Sequence, residues 1–291
     1  MSEQRTADRP RVVVITGASS GIGRETALRY ARRRDRLVLA SRTEDTLREV
    51  AEACFAAGAR DVMVRPTDIG EADEVQRLFD LAVDTFGGVD VAVQCAAITA
   101  FGRFEDLPAG VFDAIVRTNL TGAANVARSA LMHFQARGDG HLVLVGSLLG
   151  EVAVPYQSAY VASKFALNGL VRVLRQENRS LPGVRVHGIY PGPVDTPVYG
   201  TSDNYFEQTP RVPPTADTPA SVAKAIVREA DRSHSTERHI GWFTLPAIVA
   251  YRLMPSAFDA LIGPLLRATA FTTEKDGAPR GDDRRRRHVE S

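Results

Sequence analysis

Residues Ser158 to Lys164 read Ser-Ala-Tyr-Val-Ala-Ser-Lys. Tyr160 and Lys164 stand four positions apart, a spacing that places both side chains on one face of a helix. A phenol, with an ordinary pKa of about 10, exchanges protons poorly at neutral pH. An ammonium held one turn away favours the phenolate and draws that pKa toward the working range. The pair therefore has the makings of an acid–base device, although the same spacing also occurs on ordinary surface helices. Composition singles out the lysine. Lys164, Lys224 and Lys275 are the only lysines of the chain, and arginine fills the other cationic positions. An arginine at 164 would keep the charge but lose the compact three-donor head.

A second group of residues suits a phosphate. The apolar run Val12 to Ile15 leads into Thr16-Gly17-Ala18-Ser19-Ser20-Gly21-Ile22-Gly23, and a helical pattern follows. Glycines there let the backbone turn sharply and approach a pyrophosphate, whose charge is met by the helix N-terminus. A tight structural turn is the plainer reading of the same loop. After the second apolar run comes Ala40-Ser41-Arg42. An acidic residue at that place holds ribose hydroxyls and repels a 2′-phosphate, whereas Ser41 is neutral and the fork of Arg42 pairs with phosphate. This points to NADP(H) over NAD(H), against the bland alternative of a solvated arginine.

These side chains need a scaffold, and its rhythm is visible. Arg11 to Ile15, Leu37 to Ala40, Val62 to Val64, Val89 to Val93, Leu142 to Val145 and Val184 to Ile189 read as strands, continuous in apolar character as when both sheet faces are covered. Helical patterns fill the intervals: Ile22 to Arg33, Glu44 to Ala57, Glu71 to Phe86, Val111 to Phe134 and Ala159 to Asn178. The alternation predicts an α/β fold, a Rossmann-like doubly wound parallel sheet flanked by helices in a single domain.

With 291 residues, 44% hydrophobic and 24% charged, the composition is that of an ordinary globular chain. A net charge of +1 offers no field for nucleic acid. Cys54 and Cys95 are too few for a disulfide framework, the N-terminus lacks a signal-like apolar core, and no run is long enough to span a membrane. A cytoplasmic protein is expected. His133, His141 and His187 lack metal-ligand spacing, so no metal is expected.

Taken together, the motifs resemble those of the short-chain dehydrogenase/reductase family over roughly Arg11 to Pro197. Thr16 to Gly23 matches the family's Thr-Gly-x-x-x-Gly-x-Gly loop, so the resemblance implies cofactor contacts at Gly17, Ser19, Ser20, Gly21, Ile22 and Gly23, with Ser41, Arg42 and Asp68 at the adenosine end. Asn119, Ser147, Tyr160 and Lys164 match its catalytic set, Ser147 lying thirteen residues before the tyrosine. Ala96 lies in the segment that borders the cofactor, and Pro191, Gly192, Val194 and Thr196 match the loop that closes on nicotinamide. The resemblance implies hydride transfer between NADP(H) and a carbonyl or secondary alcohol. Tyr160 would be the general acid or base, Ser147 the group steadying the substrate oxygen, and Lys164 the ribose grip. Asn119 would hold a water of the proton relay, and Thr196 would fix the nicotinamide. One motif departs from the family: Gln94-Cys95-Ala96-Ala97 replaces Asn-Asn-Ala-Gly, which puts cofactor affinity or pose in question. Cys95 reads as a buried, inert thiol. The alternative function is a catalytically weak NADP(H)-binding sensor or scaffold on the same fold.

Beyond the motifs, Val198 to Pro219 reads as a substrate loop whose Tyr199, Tyr205 and Phe206 suggest a hydrophobic small-molecule substrate. The division expected is a flexible 1–10, a catalytic domain over 11–244 ending in a strand at Ile240 to Thr244, an apolar extension over 245–271 and a disordered 272–291. The extension is expected to cover the pocket or a partner subunit, with membrane-surface contact the less favoured reading. A homodimer or homotetramer through the Val111 to Phe134 and Ala159 to Asn178 helices is what the resemblance implies.

Overall fold

A computed structural model describes residues 9–272. The expectations for residues 1–8 and for the tail from 273 onward lie outside the described residues.

Seven parallel strands form the central sheet: β1 (Val12–Thr16), β2 (Arg36–Ser41), β3 (Asp61–Pro66), β4 (Val91–Gln94), β5 (Gly140–Val145), β6 (Val184–Pro191) and β7 (Glu237–Ile240). Their order is β7-β6-β5-β4-β1-β2-β3, all in parallel register. The helices are α1 (Gly21–Arg32), α2 (Glu44–Ala56), α3 (Ala72–Phe86), α4 (Ala109–Val116), α5 (Ala123–Arg137), α6 (Ser158–Glu177), α7 (Pro219–Glu229), α8 (Thr244–Leu253) and α9 (Pro255–Thr269). The unbroken apolar strands follow from the pleat. Val12 and Val14 of β1 enter one core with Phe79, Phe134 and Leu167, while Val13 and Ile15 enter the other with Tyr30, Leu47 and Ile226. Each face of the sheet thus carries its own helix layer.

The strand order reverses at β1, which pairs with β2 on one side and β4 on the other. Ligand-binding clefts open at the carboxyl ends of the strands flanking such a point. Every motif singled out above sits at that end.

Three local readings change. The helix expected from Val111 to Phe134 is divided: α4 and α5 are joined by a π turn over Arg117–Gly122, with Asn119 fully buried inside it. The last strand ends at Ile240 rather than beginning there, because Gly241 takes φ +103° and turns the chain into α8. Trp242 therefore leaves the sheet. The Val198 to Pro219 stretch is pinned at two points, Asp203–Asn204 pairing with Ala100–Phe101 and Thr209–Pro210 with Phe271–Thr272.

Candidate active site

A cleft of about 1240 Å³ runs along the carboxyl edge of the sheet and is lined at one end by Gly17, Ser19 to Gly23, Ser41, Arg42 and Asp68. Its other end is apolar, with Val111, Leu148, Tyr199, Phe243, Phe258 and Ile262. Ser147, Tyr160 and Lys164 lie between the two. A second cleft of about 700 Å³, where α6 ends, is lined by Arg172, Arg175, Arg179 and Arg185 and contains none of these residues.

The loop end is tightly made. Gly17 takes φ +68°, and a Cβ there would fall 2.6 Å from the backbone of Ala96. Gly23 packs so closely on the Gly17 carbonyl that a side chain has no room. Gly21, at φ +50°, faces the Thr196 methyl. Helix α1 starts from Ser20, whose side chain makes no capping hydrogen bond, and has no acidic residue in its first turn. Its opening N–H groups are thus left without a side-chain cap at the cleft lining. Arg42 is exposed at the rim and has no ion-pair partner among the described residues. Asp68 is held in place: its Oδ1 accepts from the Gly70 N–H at 2.8 Å, and Arg117 lies 3.9 Å from its Oδ2.

In the middle, the end of β5 meets the start of α6. Ser147 Oγ accepts the Leu149 N–H at 3.0 Å, which leaves its own O–H free to turn toward the Tyr160 phenol, whose ionised form it favours. The Lys164 ammonium donates to the Val145 carbonyl at 3.0 Å and lies 5.6 Å from the centre of the Tyr160 ring. Burial pushes the Tyr160 phenol up, opposed by the Ser147 hydrogen bond. Burial likewise pulls Lys164 down to about 8, opposed by the nearby Cys95 thiol. Burial therefore dominates the Tyr160 phenol here, against the lowering expected from Lys164. Both groups are desolvated, and the ammonium is turned to a main-chain carbonyl instead of the phenol.

Asn119 works as a clamp. Its Oδ1 accepts the Ile98 N–H and its Nδ2 donates to the Ile98 carbonyl, both at 2.9 Å, and Nδ2 also reaches Ser163 Oγ at 3.0 Å. Ser163 in turn donates to the Tyr160 carbonyl at 2.7 Å. The expected water-holding role thus falls on a residue whose amide protons are already engaged. In the departing segment, Gln94 Nε2 donates to the Ala96 carbonyl at 2.7 Å, so the longer side chain bridges its own loop. Cys95 is a free thiol pushed up to about 12, chiefly by burial, which disfavours its thiolate.

Pro191, Gly192, Val194 and Thr196 form the cleft wall opposite Gly21, and Val194 is bridged to Asp217. Tyr199 stacks on Phe101 at 6.2 Å, and burial together with the Tyr160 hydroxyl beside it pushes its phenol up. Tyr205 and Phe206, by contrast, pack into side clusters. Sequence reasoning missed Leu148, Val152 and Phe258 as lining residues. The only local signal was the apolar run that follows Ser147.

The family model for short chain dehydrogenases matches residues 11–204. The chain belongs to this family of oxidoreductases. It is similar to an uncharacterized oxidoreductase, YxnA, of Bacillus subtilis, 32% identical over 259 residues that span 88% of this chain and 72% of that protein. Sepiapterin reductase of Chlorobaculum tepidum is 32% identical over 224 residues, 75% of this chain and 90% of its own. Among solved structures, an alcohol dehydrogenase from Thermococcus sibiricus complexed with 5-hydroxy-NADP is 29% identical, with a TM-score of 0.70 over 80% of this chain and 97% of that one. The short-chain dehydrogenase fold thus accounts for the central sheet and its nicotinamide cofactor cleft.

Proposed function

We propose that the protein is an NADP(H)-dependent oxidoreductase that moves a hydride between nicotinamide and a carbonyl or secondary alcohol carbon of a hydrophobic small molecule. One observation carries the reading: Ser147 and Tyr160, with Lys164 behind them, line one cleft together with the glycine loop and Arg42 on one side and the apolar residues on the other. The residues present fit the cofactor. The uncapped start of α1 with Gly17 and Gly21 to Gly23 would receive the pyrophosphate, and Ser41 and the unpaired Arg42 the 2′-phosphate. Asp68 would take the adenine, and Ala96, Pro191, Gly192, Val194 and Thr196 the nicotinamide half.

The bound cofactor supplies the hydride chemistry. The chain supplies the proton and the orientation. In the reducing direction the Tyr160 hydroxyl, kept protonated by burial, donates to the developing alkoxide. Ser147 O–H holds the same oxygen and steadies its growing charge. Lys164 holds positive charge next to both and turns toward the cofactor ribose. Asn119, through Ile98 and Ser163, fixes the first turn of α6 so that Tyr160 keeps its place. Apolar walls at Leu148, Val152 and Phe258 exclude water and favour a hydrophobic substrate. Exposed Met132 on α5 and Phe165 and Val173 on α6 support pairing of copies through those helices. The free Cys54 and Cys95 support a reducing compartment.

The test is a fluorescence titration of NADPH and of NADH, with Arg42→Ala beside the wild type, followed by single-turnover transfer to a generic ketone. Expected are tighter binding of NADPH, its loss by about tenfold in the variant with NADH unchanged, and measurable transfer. Equal NADH binding overturns the phosphate role of Arg42. Tight binding without transfer overturns the enzyme reading in favour of the sensor.

A further inference from the structure

Helices α8 and α9 are apolar on both sides. Ile248 and Tyr251 of α8 pack inward on Leu148, Val152 and Phe258. On its outer side, at four-residue spacing, Leu245 is 59%, Val249 54% and Leu253 76% exposed. On α9, Phe258 and Ile262 line the cleft while Leu261 and Leu265 are 68% and 55% exposed. Trp242, released from the sheet by Gly241, is 81% exposed. Seven of the fifteen strongly exposed large apolar side chains among the described residues fall between Trp242 and Leu265. A helix apolar all round is a helix that something covers.

We propose that this face docks on an anionic lipid surface. Three observations select a bilayer over a second copy of the chain. Trp242 and Leu265 are both exposed and part of the cleft lining, so the patch runs into the cleft mouth. A rigid protein seated there would cap the entrance, whereas a fluid acyl boundary leaves it open. The charge pattern also fits. Between Gly241 and Thr272 the charged residues are Arg252, Asp259 and Arg267, and both arginines have neighbours at the protein surface, Glu151 and the Tyr156 hydroxyl. The uninterrupted Arg284 to Arg287 run then follows Thr272 by twelve residues in sequence. Apolar insertion with a cationic arm is the two-signal pattern of interfacial binding. Asp282 and Asp283 temper the arm, so the apolar face carries the docking and the arm adds a preference for anionic lipid. Finally, no helix among the described residues is long and apolar enough to cross a membrane, which leaves contact in the plane of the surface. That the cleft then draws its substrate from the bilayer rests on the oxidoreductase reading; the docking itself does not.

The chain carries its own probe, since Trp242 is its only tryptophan. The full chain is mixed with phosphatidylcholine vesicles and with vesicles of phosphatidylcholine and phosphatidylglycerol, and binding is read by co-sedimentation and by tryptophan emission. Expected are binding to the mixed vesicles with a blue-shifted emission, and weaker binding to the neutral ones. Leu253→Glu with Leu261→Glu, both at exposed positions, weakens binding by about tenfold or more. Replacing Arg284 to Arg287 with serine removes the difference between the two vesicles. Circular dichroism melts establish that the variants are folded, and both variants are compared at equal folded concentration. Absence of binding and of any emission shift overturns the proposal. So does a wild-type dimer, seen by sedimentation, that the two glutamates dissolve while neither vesicle binds, since a second copy then covers the face.

Discussion

Lys164 is 2% exposed, and its ammonium donates to the Val145 carbonyl inside the protein. A charge so placed is costly, and its pKa falls from 10.5 to about 8. The native state releases this proton near pH 8 and the unfolded chain near 10.5, so across that window the unfolded chain binds more protons and stability rises with pH. Below pH 8 the full penalty applies, about 3 kcal/mol at 1.36 per pKa unit. Lys164→Met should therefore abolish turnover yet raise the melting temperature at neutral pH by a few degrees, at about 2–4 °C per kcal/mol less what the deprived Val145 carbonyl costs. The gain should shrink as pH rises from 8 toward 10.5. Thermal melts over pH check it, and a variant that melts lower at neutral pH removes the strain ascribed to this lysine. Tyr160→Phe keeps the ring and loses the proton. Turnover should fall by about 10³-fold or more while NADPH affinity stays within a few fold, as kcat and a binding titration will show.

At the scale of elements, the loop between β1 and α1 tolerates no Cβ at position 17, where φ is +68° and Ala96 lies 2.6 Å from the built atom. Gly17→Ala should cost about 2 kcal/mol or more and weaken nucleotide binding, measured by urea unfolding and by the NADPH titration. This loop was legible in the sequence because everything that defines it is local: a strand, three glycines and a helix in one short stretch. Tyr160 and Lys164 were legible for the same reason. Other features needed the third dimension. The depth at which Lys164 is buried depends on β5 and on Cys95, distant in sequence, so its effect on the phenol was read as it would be near water. The π turn at Asn119 leaves an unremarkable apolar period on either side of it. The end of β7 depended on one glycine, Gly241, whose left-handed φ is not announced by its neighbours.

The whole molecule adds a pH response remote from the cleft. His141 of β5 and His187 of β6 stack at 5.5 Å with Nδ1 of the first 3.2 Å from Nε2 of the second, and His187 Nδ1 lies 2.9 Å from Thr236 Oγ1. Arg185, Arg175 and His234 face the pair, with Asp139 on the outer side. Burial first, then His141 and these arginines, pulls His187 down to about 3, and burial with Arg185 pulls His141 to about 4. The unfolded chain takes up these protons near pH 6.5, before the native state does, so stability should fall by several kcal/mol as pH drops from 6.5 toward 4. Urea unfolding across that range checks it: the wild type should lose stability steeply and His141→Gln with His187→Gln much less. A flat wild-type profile would rule out the pair as the cause. The doubly wound sheet itself was readable from strand and helix rhythm, because two-sided burial writes continuous apolar runs. The histidine pair was not, since nothing in either strand marks the other as its neighbour.

The seven-strand sheet ends at Ile240, and the stretch from Gly241 to Thr272 builds one wall of the cleft without contributing a strand to that sheet. On the proposed function, proton transfer and cofactor grip fall to the part of the chain before Gly241, and a share of substrate recognition to the stretch from Gly241 to Thr272. Substitutions there would reshape the substrate wall while leaving the strands that carry Ser147 and the glycine loop untouched.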